Sequence, residues 1–292
     1  VVVVENASGE AETLRTLIRE RGWGDVRGRG REGEHEGEGG WCGLMELAEN
    51  RGFAAGNNAA IEPALASEDP PDYVWLLNPD TVVRPGALGS LLTFMQEHPE
   101  VGIAGSRLEN QDGSPRCGPL RFHSACSEFL SAAALGPLAR LGAEKVVSMP
   151  MTDEPVRCDW VSGASMFLRS RMLQNVGLLD EAYFLYFEET DLAFRAATAG
   201  WTCWCVPSSR IVHFPGSSTG VTGGGSVHKR RPPYWYKSRR RYFLKHHGRV
   251  QLQAATVGWG VGHCIRLVRC LLTRRRWDWP RLMWWDMVRY GL

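Results

Sequence analysis

The stretch DYVWLLNPDTVV, residues 72–83, decides the fold. Its apolar part, YVWLL, predicts a buried strand, which ends abruptly in Asn78, Pro79 and Asp80. The following segment, 85–108, has the pattern of a helix and then another short strand. A strand, a helix and a second strand in succession favour a parallel sheet covered by helices. We therefore predict an α/β fold with Asp80 at the carboxyl edge of the sheet, where open α/β sheets bind ligands.

Two segments nearer the start of the chain extend this pattern. The sequence VVVVENAS, residues 1–8, predicts a buried strand that stops at Glu5 and Asn6. Further along, Gly52 and Gly56 open an alanine-rich helical segment. Backbone amides at such a helix start can approach a phosphate or a nucleoside. The alternative is a turn in which glycine only permits close packing.

An acidic cluster follows an aromatic run in the sequence YFLYFEETDLAFRAATAGW, residues 183–201. Thr190 is predicted to cap a helix that stops at Gly200. The cluster of Glu188, Glu189 and Asp191 would then lie at the helix N-terminus, where the helix dipole favours ionised carboxylates. Capping explains one acid but not three, so these carboxylates are candidates for chemistry.

Composition excludes several classes of protein. The chain has 292 residues with 43% hydrophobic content and a net charge of +2, so its global charge predicts no nucleic-acid partner. Its eight cysteines lack paired CxxC spacing, which is typical of reduced thiols in an intracellular protein and predicts no zinc site. The best candidate for a membrane span is interrupted by His263, Arg266 and Arg269. The glycine-rich, charged segment at about 24–40 predicts a flexible loop.

Six stretches together resemble the family 2 glycosyltransferases, in particular the bacterial rhamnosyltransferase-like branch that builds cell-wall and surface polysaccharides. The six stretches are VVVVENAS, ENRGFAAGNNAAI, YVWLLNPDTVVRPGAL, VSGASMFLRS, GLLDEAYFLYFEETDLAFRAATAGW and VPSSRIVHFPGSS. The resemblance implies a GT-A fold, the nucleotide-diphospho-sugar transferase fold, with a mostly parallel central sheet. We assign residues 1–228 to this domain and 229–292 to a basic, tryptophan-rich helical region. Relative to the family, the first strand and helix are missing.

The resemblance also implies a donor site with a metal ion. Glu5 occupies the position of a family aspartate that contacts the nucleobase. The sequence Asn78-Pro79-Asp80 resembles the family's DXD motif, so Asp80 is implied as a ligand of Mn²⁺ or Mg²⁺, with Asn78 as a further candidate and His213 completing the site. The residues implied to bind the nucleotide-sugar are Glu5, Asn6, Gly52, Phe53, Gly56, Asn57, Asn78, Asp80, Gly163 and Ala164.

The segment FEETDL resembles the family's F-E-D-x-D-L segment, in which the second acid is the catalytic base. This position is Glu189, with Glu188 and Asp191 as alternatives. A single carboxylate base implies an inverting, one-step transfer of a hexosyl or rhamnosyl group to a hydroxyl of a glycan or lipid-linked acceptor. A degenerate nucleotide-sugar-binding protein without transfer activity is the alternative.

The C-terminal region interleaves basic and aromatic residues in HKRRPPYWYKSRRRYFLKHHGR, residues 228–249, and continues to four tryptophans. Basic amphipathic helices with tryptophans lie in the membrane interface. Helices packed on the catalytic domain are the alternative. We therefore expect a cytoplasmic protein, associated peripherally with the inner face of the cell membrane. The tryptophans concerned are Trp277, Trp279, Trp284 and Trp285.

Overall fold

The structure is a computed structural model. It describes residues 1–23, 41–134, 142–214, 230–274 and 279–292. The loop predicted at about 24–40 and Trp277 lie outside the described residues. The strands are β1 (Val2–Glu5), β2 (Gly43–Glu46), β3 (Tyr73–Leu77), β4 (Thr81–Val83), β5 (Val101–Glu109), β6 (Pro115–Cys117), β7 (Val156–Cys158), β8 (Ser165–Arg169) and β9 (Thr202–His213). The α-helices are α1 (Ala11–Glu20), α2 (Gly52–Leu65), α3 (Ala87–Glu97), α4 (Ala125–Ala133), α5 (Ser170–Val176), α6 (Glu188–Thr198), α7 (Pro233–His246), α8 (Gly248–Leu272) and α9 (Met283–Tyr290).

The described strands form two sheets. Strands β1 and β2 pair in parallel, with Val2 opposite Gly43 and Glu5 opposite Glu46. The larger sheet has the order β3-β8-β5-β9-β4, with β6 added to β5 and β7 to β9. The alternation of strands and helices confirms the predicted α/β class.

The direction of the strands differs from the prediction of a mostly parallel sheet. In the larger sheet only β5 and β9 are parallel among the described pairs, whereas β3–β8, β5–β8 and β4–β9 are antiparallel. Strand β8 comes from a distant part of the chain and inserts between β3 and β5 with reversed direction. An apolar run indicates that a strand is buried, but it does not indicate the direction of its neighbours.

The main core lies between the larger sheet and the helices that cover it. Ile103 of β5 and Leu168 of β8 are fully buried against Met172 of α5 and Leu192 of α6. Burying a side chain of this size contributes about 1.5–3 kcal/mol of hydrophobic free energy. This packing fixes α6, and therefore the acidic cluster at its start, against the sheet.

The C-terminal helices pack on this core with their inner faces. Tyr242 and Phe243 of α7 are buried in a cluster with Tyr183 and Phe187. Helix α8 lies so close to α4 that a Cβ on Gly262 would come within 2.6 Å of the Phe129 carbonyl oxygen. The predicted helical region is therefore present. Its inner faces pack on the rest of the protein, which is the arrangement named above as the alternative to membrane contact. Within the described residues, no helix combines the length and apolar character needed to cross a bilayer.

Candidate active site

Asp80 and His213 are brought together by the pairing of β4 with β9. Thr81 lies opposite His213 in this antiparallel register, and the Phe214 N–H donates to the Asp80 carbonyl at 2.9 Å. The side chains meet with His213 Nε2 at 3.3 Å from Asp80 Oδ1. Both side chains are mostly buried, with 15% of His213 and 9% of Asp80 exposed. The structure thus places the two main predicted metal ligands in contact.

The donor set at this position fits a cation that is shared with a substrate. Carboxylate oxygen and imidazole nitrogen are both ligands of Mn²⁺. The described residues contain no group of three or more His, Cys, Asp or Glu side chains arranged to hold a metal ion. Mg²⁺ and similar hard cations usually keep several waters and bind one or two carboxylates together with substrate phosphates. Two protein ligands are therefore sufficient for a cation held jointly with a diphosphate.

A series of contacts joins the predicted nucleotide-sugar residues to the acidic cluster. The Asn78 N–H donates to the Ala164 carbonyl at 3.1 Å. Gly163 lies against Phe53, because a Cβ there would be 3.1 Å from Phe53 Cζ. The Phe53 N–H donates to the Phe184 carbonyl at 2.8 Å, just before α6. The turn after β3, the loop before β8, the start of α2 and the segment before α6 therefore meet in one region.

Cys117 gives a second connection between the two ends of the site. Burial is the main cause that raises the pKa of the Cys117 thiol, and the negative charge of Glu189 acts in the same direction. Cys117 also packs against a buried cluster that includes Ala164 and Ile211. Ile211 lies on β9, two residues before His213. Cys117 therefore packs beside the part of β9 that leads to His213.

The glycines at the start of α2 provide close packing. Gly52 has a φ of +89°, and a Cβ there would lie 2.1 Å from the Phe184 carbonyl oxygen. The Asn6 amide donates to the Gly52 carbonyl at 2.9 Å, and a Cβ on Gly56 would be 3.1 Å from Asn6 Nδ2. The Asn57 amide donates to the Phe53 carbonyl within the same helix. These contacts support the packing alternative for both glycines, and a role in phosphate binding stays a prediction.

Glu5 closes the turn that follows β1. Its carboxylate accepts hydrogen bonds from the backbone N–H groups of Ala7 and Ser8 and from the Ser8 hydroxyl. The hydrogen bond from the Ser8 side chain is the main cause that lowers the pKa of Glu5. A lowered pKa keeps the carboxylate ionised at neutral pH. Contact with a nucleobase stays a prediction for this residue.

Helix α6 begins from an unusual backbone conformation. Tyr186 and Phe187 have φ angles of 69° and 70°, in the left-handed region that residues with a Cβ rarely adopt. Phe187 is the N-cap and Glu188 is the first helical residue, so the prediction that Thr190 caps the helix is wrong. Tertiary contacts hold Tyr186 and Phe187 in the left-handed conformation. The helix therefore begins at Glu188, earlier than the capping preference of Thr190 predicts. Strain of this kind persists only where the surrounding structure enforces it, and it is typical of functional sites.

Glu188 and Glu189 are a pair of neighbouring carboxyl groups, of which Glu188 is buried and Glu189 is partly exposed. The Oε2 atom of each is buried and makes no hydrogen bond within the described part of the chain. Burial raises the pKa of both groups, and the charge of Glu189 raises the pKa of Glu188 further. His123 acts in the opposite direction and lowers the pKa of Glu189. Two adjacent carboxyls cannot easily ionise together, and these causes raise the pKa of Glu188 more strongly, which favours Glu189 as the member of the pair that accepts a proton.

Asp191 has a different environment, although it lies only two residues from Glu189. Its carboxylate is fully buried and lies 2.8 Å from Arg195 Nε, 2.7 Å from Lys245 Nζ and 2.7 Å from His246 Nε2. Burial alone raises the pKa of Asp191, but hydrogen bonds from His246, Lys245 and Arg195 outweigh burial and lower it. A carboxylate that accepts hydrogen bonds from two cations and a histidine is a weak base. This position favours a structural role, because it ties α6 to α7.

His123 is a neighbour of the acidic pair that sequence reasoning missed. Its ring centroid lies 4.9 Å from that of Phe187, and its Nδ1 is 3.5 Å from Glu128 Oε1. Glu128 in turn accepts from Arg239 Nε at 2.8 Å, inside the protein. The residues around His123 carry no motif, and its partners lie on α4 and α7. A single sequence offers no signal for such a contact.

The comparison with known families settles the class of the chain. Residues 44–260 match the family described as "Glycosyltransferase like family 2". The chain belongs to glycosyltransferase family 2. The matched part includes Asp80, Glu189 and His213. The resemblance found in the sequence is thereby confirmed, and so is the GT-A fold that it implied.

This family 2 glycosyltransferase chain is similar to several characterised relatives. It is 30% identical over 187 residues to N-acetylglucosaminyl-diphospho-decaprenol L-rhamnosyltransferase of Mycobacterium tuberculosis, covering 61% of this chain and 60% of the relative. It is 24% identical over 165 residues to rhamnosyltransferase WbbL of Escherichia coli, covering 56% of this chain and 61% of the relative. The chain thus spans about three-fifths of the length of these two relatives. Among solved structures, the mannosyltransferase PcManGT from Pyrobaculum calidifontis, in complex with GDP-Man and Mn²⁺, matches with a TM-score of 0.49 at 14% identity, covering 93% of this chain and 66% of that one.

Proposed function

We propose that this family 2 chain is an inverting, metal-dependent glycosyltransferase. It would move a rhamnosyl or other hexosyl group from a nucleotide-diphospho-sugar to a hydroxyl of a lipid-linked or glycan acceptor, in cell-wall or surface polysaccharide synthesis. The observation that carries the proposal is the unequal carboxyl pair of Glu188 and Glu189 at the strained start of α6. The names of two relatives, both rhamnosyltransferases, support the sugar, and the name of the mycobacterial relative supports the lipid-linked acceptor.

The acidic pair suits a single displacement at the anomeric carbon. The Glu189 carboxylate removes the proton from the acceptor hydroxyl while the hydroxyl oxygen forms the new glycosidic bond. The bond from the sugar to the diphosphate breaks on the opposite face, so the configuration inverts. The raised pKa of Glu189 makes it a stronger base than an ordinary surface glutamate. A carboxylate that accepts the proton of the acceptor hydroxyl is needed for transfer but not for binding the donor, so this pair favours transfer over degenerate binding.

Asp80 and His213 are the residues that would hold the divalent cation. Asn78, two residues before Asp80, is a further candidate. A cation bound there would offset the negative charge of the departing diphosphate. The chain's own contribution is to hold Asp80 next to His213 through the β4–β9 register and to keep both side chains mostly buried. Neither Mn²⁺ nor Mg²⁺ is singled out by this arrangement.

A nucleoside diphosphate is expected to stabilise the protein only when a divalent cation is present. At 100 times its dissociation constant, such a ligand adds about 2.7 kcal/mol to the free energy of unfolding. The measurement is thermal unfolding with UDP, GDP and dTDP, each in Mn²⁺, in Mg²⁺ and in excess chelator. Asp80→Asn should lose the metal-dependent part of the increase in unfolding temperature, and His213→Ala should lose a smaller share of that increase. Equal stabilisation by a diphosphate in chelator and in Mn²⁺ would contradict the metal assignment.

The outer face of α8 and α9 supports association with a membrane surface. Exposed apolar residues recur on α8 at alternating intervals of seven and four, which places them on one side of the helix. Helix α8 contains no Asp or Glu, and exposed arginines lie beside the apolar stripe at Arg249, Arg274 and Arg289. An apolar face with a cationic border is suited to anionic lipid. The exposed apolar residues are Val250, Val257, Val261, Val268, Leu272, Trp285 and Val288.

We expect the full chain to sediment with vesicles that contain phosphatidylglycerol and to stay in solution with pure phosphatidylcholine. Val257→Glu and Leu272→Glu place a carboxylate on the exposed face, so each should weaken vesicle binding at least tenfold. Leu88→Glu is the matched control, because Leu88 is 47% exposed on α3. Thermal unfolding of each variant verifies that the fold is intact. Equal sedimentation of all three variants and the unsubstituted protein would overturn the membrane assignment.

A further inference from the structure

Three aromatic side chains beside the acidic pair have no part in the chemistry described so far. Phe184 and Tyr186 precede α6, and Tyr234 lies in the first turn of α7. The ring centroid of Tyr234 is 5.3 Å from that of Phe184 and 6.2 Å from that of Tyr186, and the second pair is stacked. We call these three rings the aromatic platform. Phe184 is 39% exposed, although phenylalanine side chains are usually buried.

The backbone beneath the platform is held on two sides. The Phe184 carbonyl accepts from the Phe53 N–H at 2.8 Å, on α2. The Leu185 carbonyl accepts from the Ser238 hydroxyl at 3.0 Å, on α7. Gly52 allows the close approach of α2, since any Cβ there would collide with the Phe184 carbonyl. A ring exposed on so constrained a backbone is preorganised, so a ligand that stacks on it has little ordering entropy to overcome.

The chemistry of the platform suits a sugar ring. A pyranose has one face made largely of C–H groups, and the faces of aromatic rings carry partial negative charge that attracts them. Ligand sites typically combine such apolar surfaces with a few polar groups that orient the ligand. Tyr186 precedes Glu189 by three residues, so the platform belongs to the segment that leads directly into the helix of the candidate base. A phosphate group or a lipid tail would gain less binding free energy than a sugar ring from contact with neutral, planar rings.

We propose that the aromatic platform of Phe184, Tyr186 and Tyr234 binds the sugar ring of the acceptor and positions its hydroxyl toward Glu189. This inference rests on the proposed function, because it takes Glu189 as the base. It assigns the acceptor subsite to the segment between α5 and α6 together with the start of α7.

The test is the kinetics of transfer to octyl glycosides by Phe184→Ala and Tyr234→Ala. Each variant should raise the KM for the acceptor about tenfold, which corresponds to about 1.4 kcal/mol of lost stacking, and leave the KM for the donor unchanged. Phe184→Trp should retain the acceptor KM, since it keeps an aromatic face. Trp41→Ala is the matched control, because Trp41 is a 56% exposed aromatic residue just before β2 and is not among the predicted site residues. An unchanged acceptor KM in Phe184→Ala, or a raised donor KM instead, would refute the platform.

A binding measurement without turnover separates this inference from the proposed function. Saturation-transfer NMR with octyl β-N-acetylglucosaminide and a panel of other octyl glycosides should show binding to the unsubstituted protein and loss in Phe184→Ala. If no sugar is transferred from any donor but this binding difference is present, the transferase proposal fails and the platform stands. If transfer occurs but glycoside binding is equal in both proteins, or absent from both, the platform fails and the transferase proposal stands.

Discussion

Replacing Glu189 with glutamine is expected to lower turnover by about 10²–10⁴-fold while leaving donor binding intact. Glutamine keeps the shape and hydrogen-bonding capacity of the side chain but cannot accept the proton of the acceptor hydroxyl. Because the pKa of Glu189 is raised, turnover of the unsubstituted enzyme should increase with pH until this group is ionised and then level off. The measurement is single-turnover transfer across pH, beside nucleotide affinity for each variant.

Neighbouring substitutions give this prediction its controls. Glu188→Gln imitates the protonated carboxyl that burial and the charge of Glu189 favour, so it should reduce turnover far less than Glu189→Gln. Asp80→Asn should have the opposite signature, with metal-dependent nucleotide affinity lost along with turnover. Near-normal transfer by Glu189→Gln, together with collapse in Glu188→Gln, would mean that Glu188 is the base.

The largest effect on stability is expected for Asp191→Asn. Removing this carboxylate leaves Arg195, Lys245 and His246 without their buried partner, which typically destabilises a protein by about 3–5 kcal/mol. We expect a value at the lower end, because Lys245 remains 31% exposed and Arg195 20% exposed. The measurement is urea unfolding at pH 7, where the midpoint should fall with little change in slope.

The pH dependence of this loss follows from the sign of the pKa shift. The pKa of Asp191 is lowered in the folded protein, so its stabilisation is fully present above the unfolded pKa of about 3.9 and decreases as the pH falls below that value. The difference in the free energy of unfolding between the unsubstituted protein and Asp191→Asn should therefore become smaller in acid. Glu181→Gln is the matched control, since its ion pair with Arg51 is exposed and contributes less than about 1 kcal/mol. A loss in Asp191→Asn no greater than in this control would contradict the structural role.

The features predicted correctly from the sequence are those encoded within short segments. The apolar run at Tyr73–Leu77 is a strand, as predicted, and Asp80 follows it at the sheet edge. His213 meets Asp80 because Asp80 immediately precedes β4 and His213 ends β9, and these strands pair; the family resemblance implied both residues as metal ligands. The acids at the start of α6 were also identified, although their separate roles depend on burial.

The features that could not be predicted depend on contacts between distant segments. Strand β8 reverses the direction of the sheet between β3 and β5, and no residue within it encodes that direction. Asp191 was grouped with two catalytic candidates because its partner His246, 55 residues away, is visible only after folding. The same holds for the left-handed pair before α6, where tertiary packing overrides the capping preference of Thr190.

The ion pairs of Asp191 also determine which parts of the chain unfold together. They join α6, which carries the candidate base, to the end of α7, and Ser238 and Arg239 of α7 add bonds to Leu185 and Glu128. Segments linked by buried contacts of this kind open as one cooperative unit in hydrogen exchange. The predicted boundary near residue 229 therefore marks a change in composition, whereas α7 belongs to the same folding unit as α6, the helix of the candidate base.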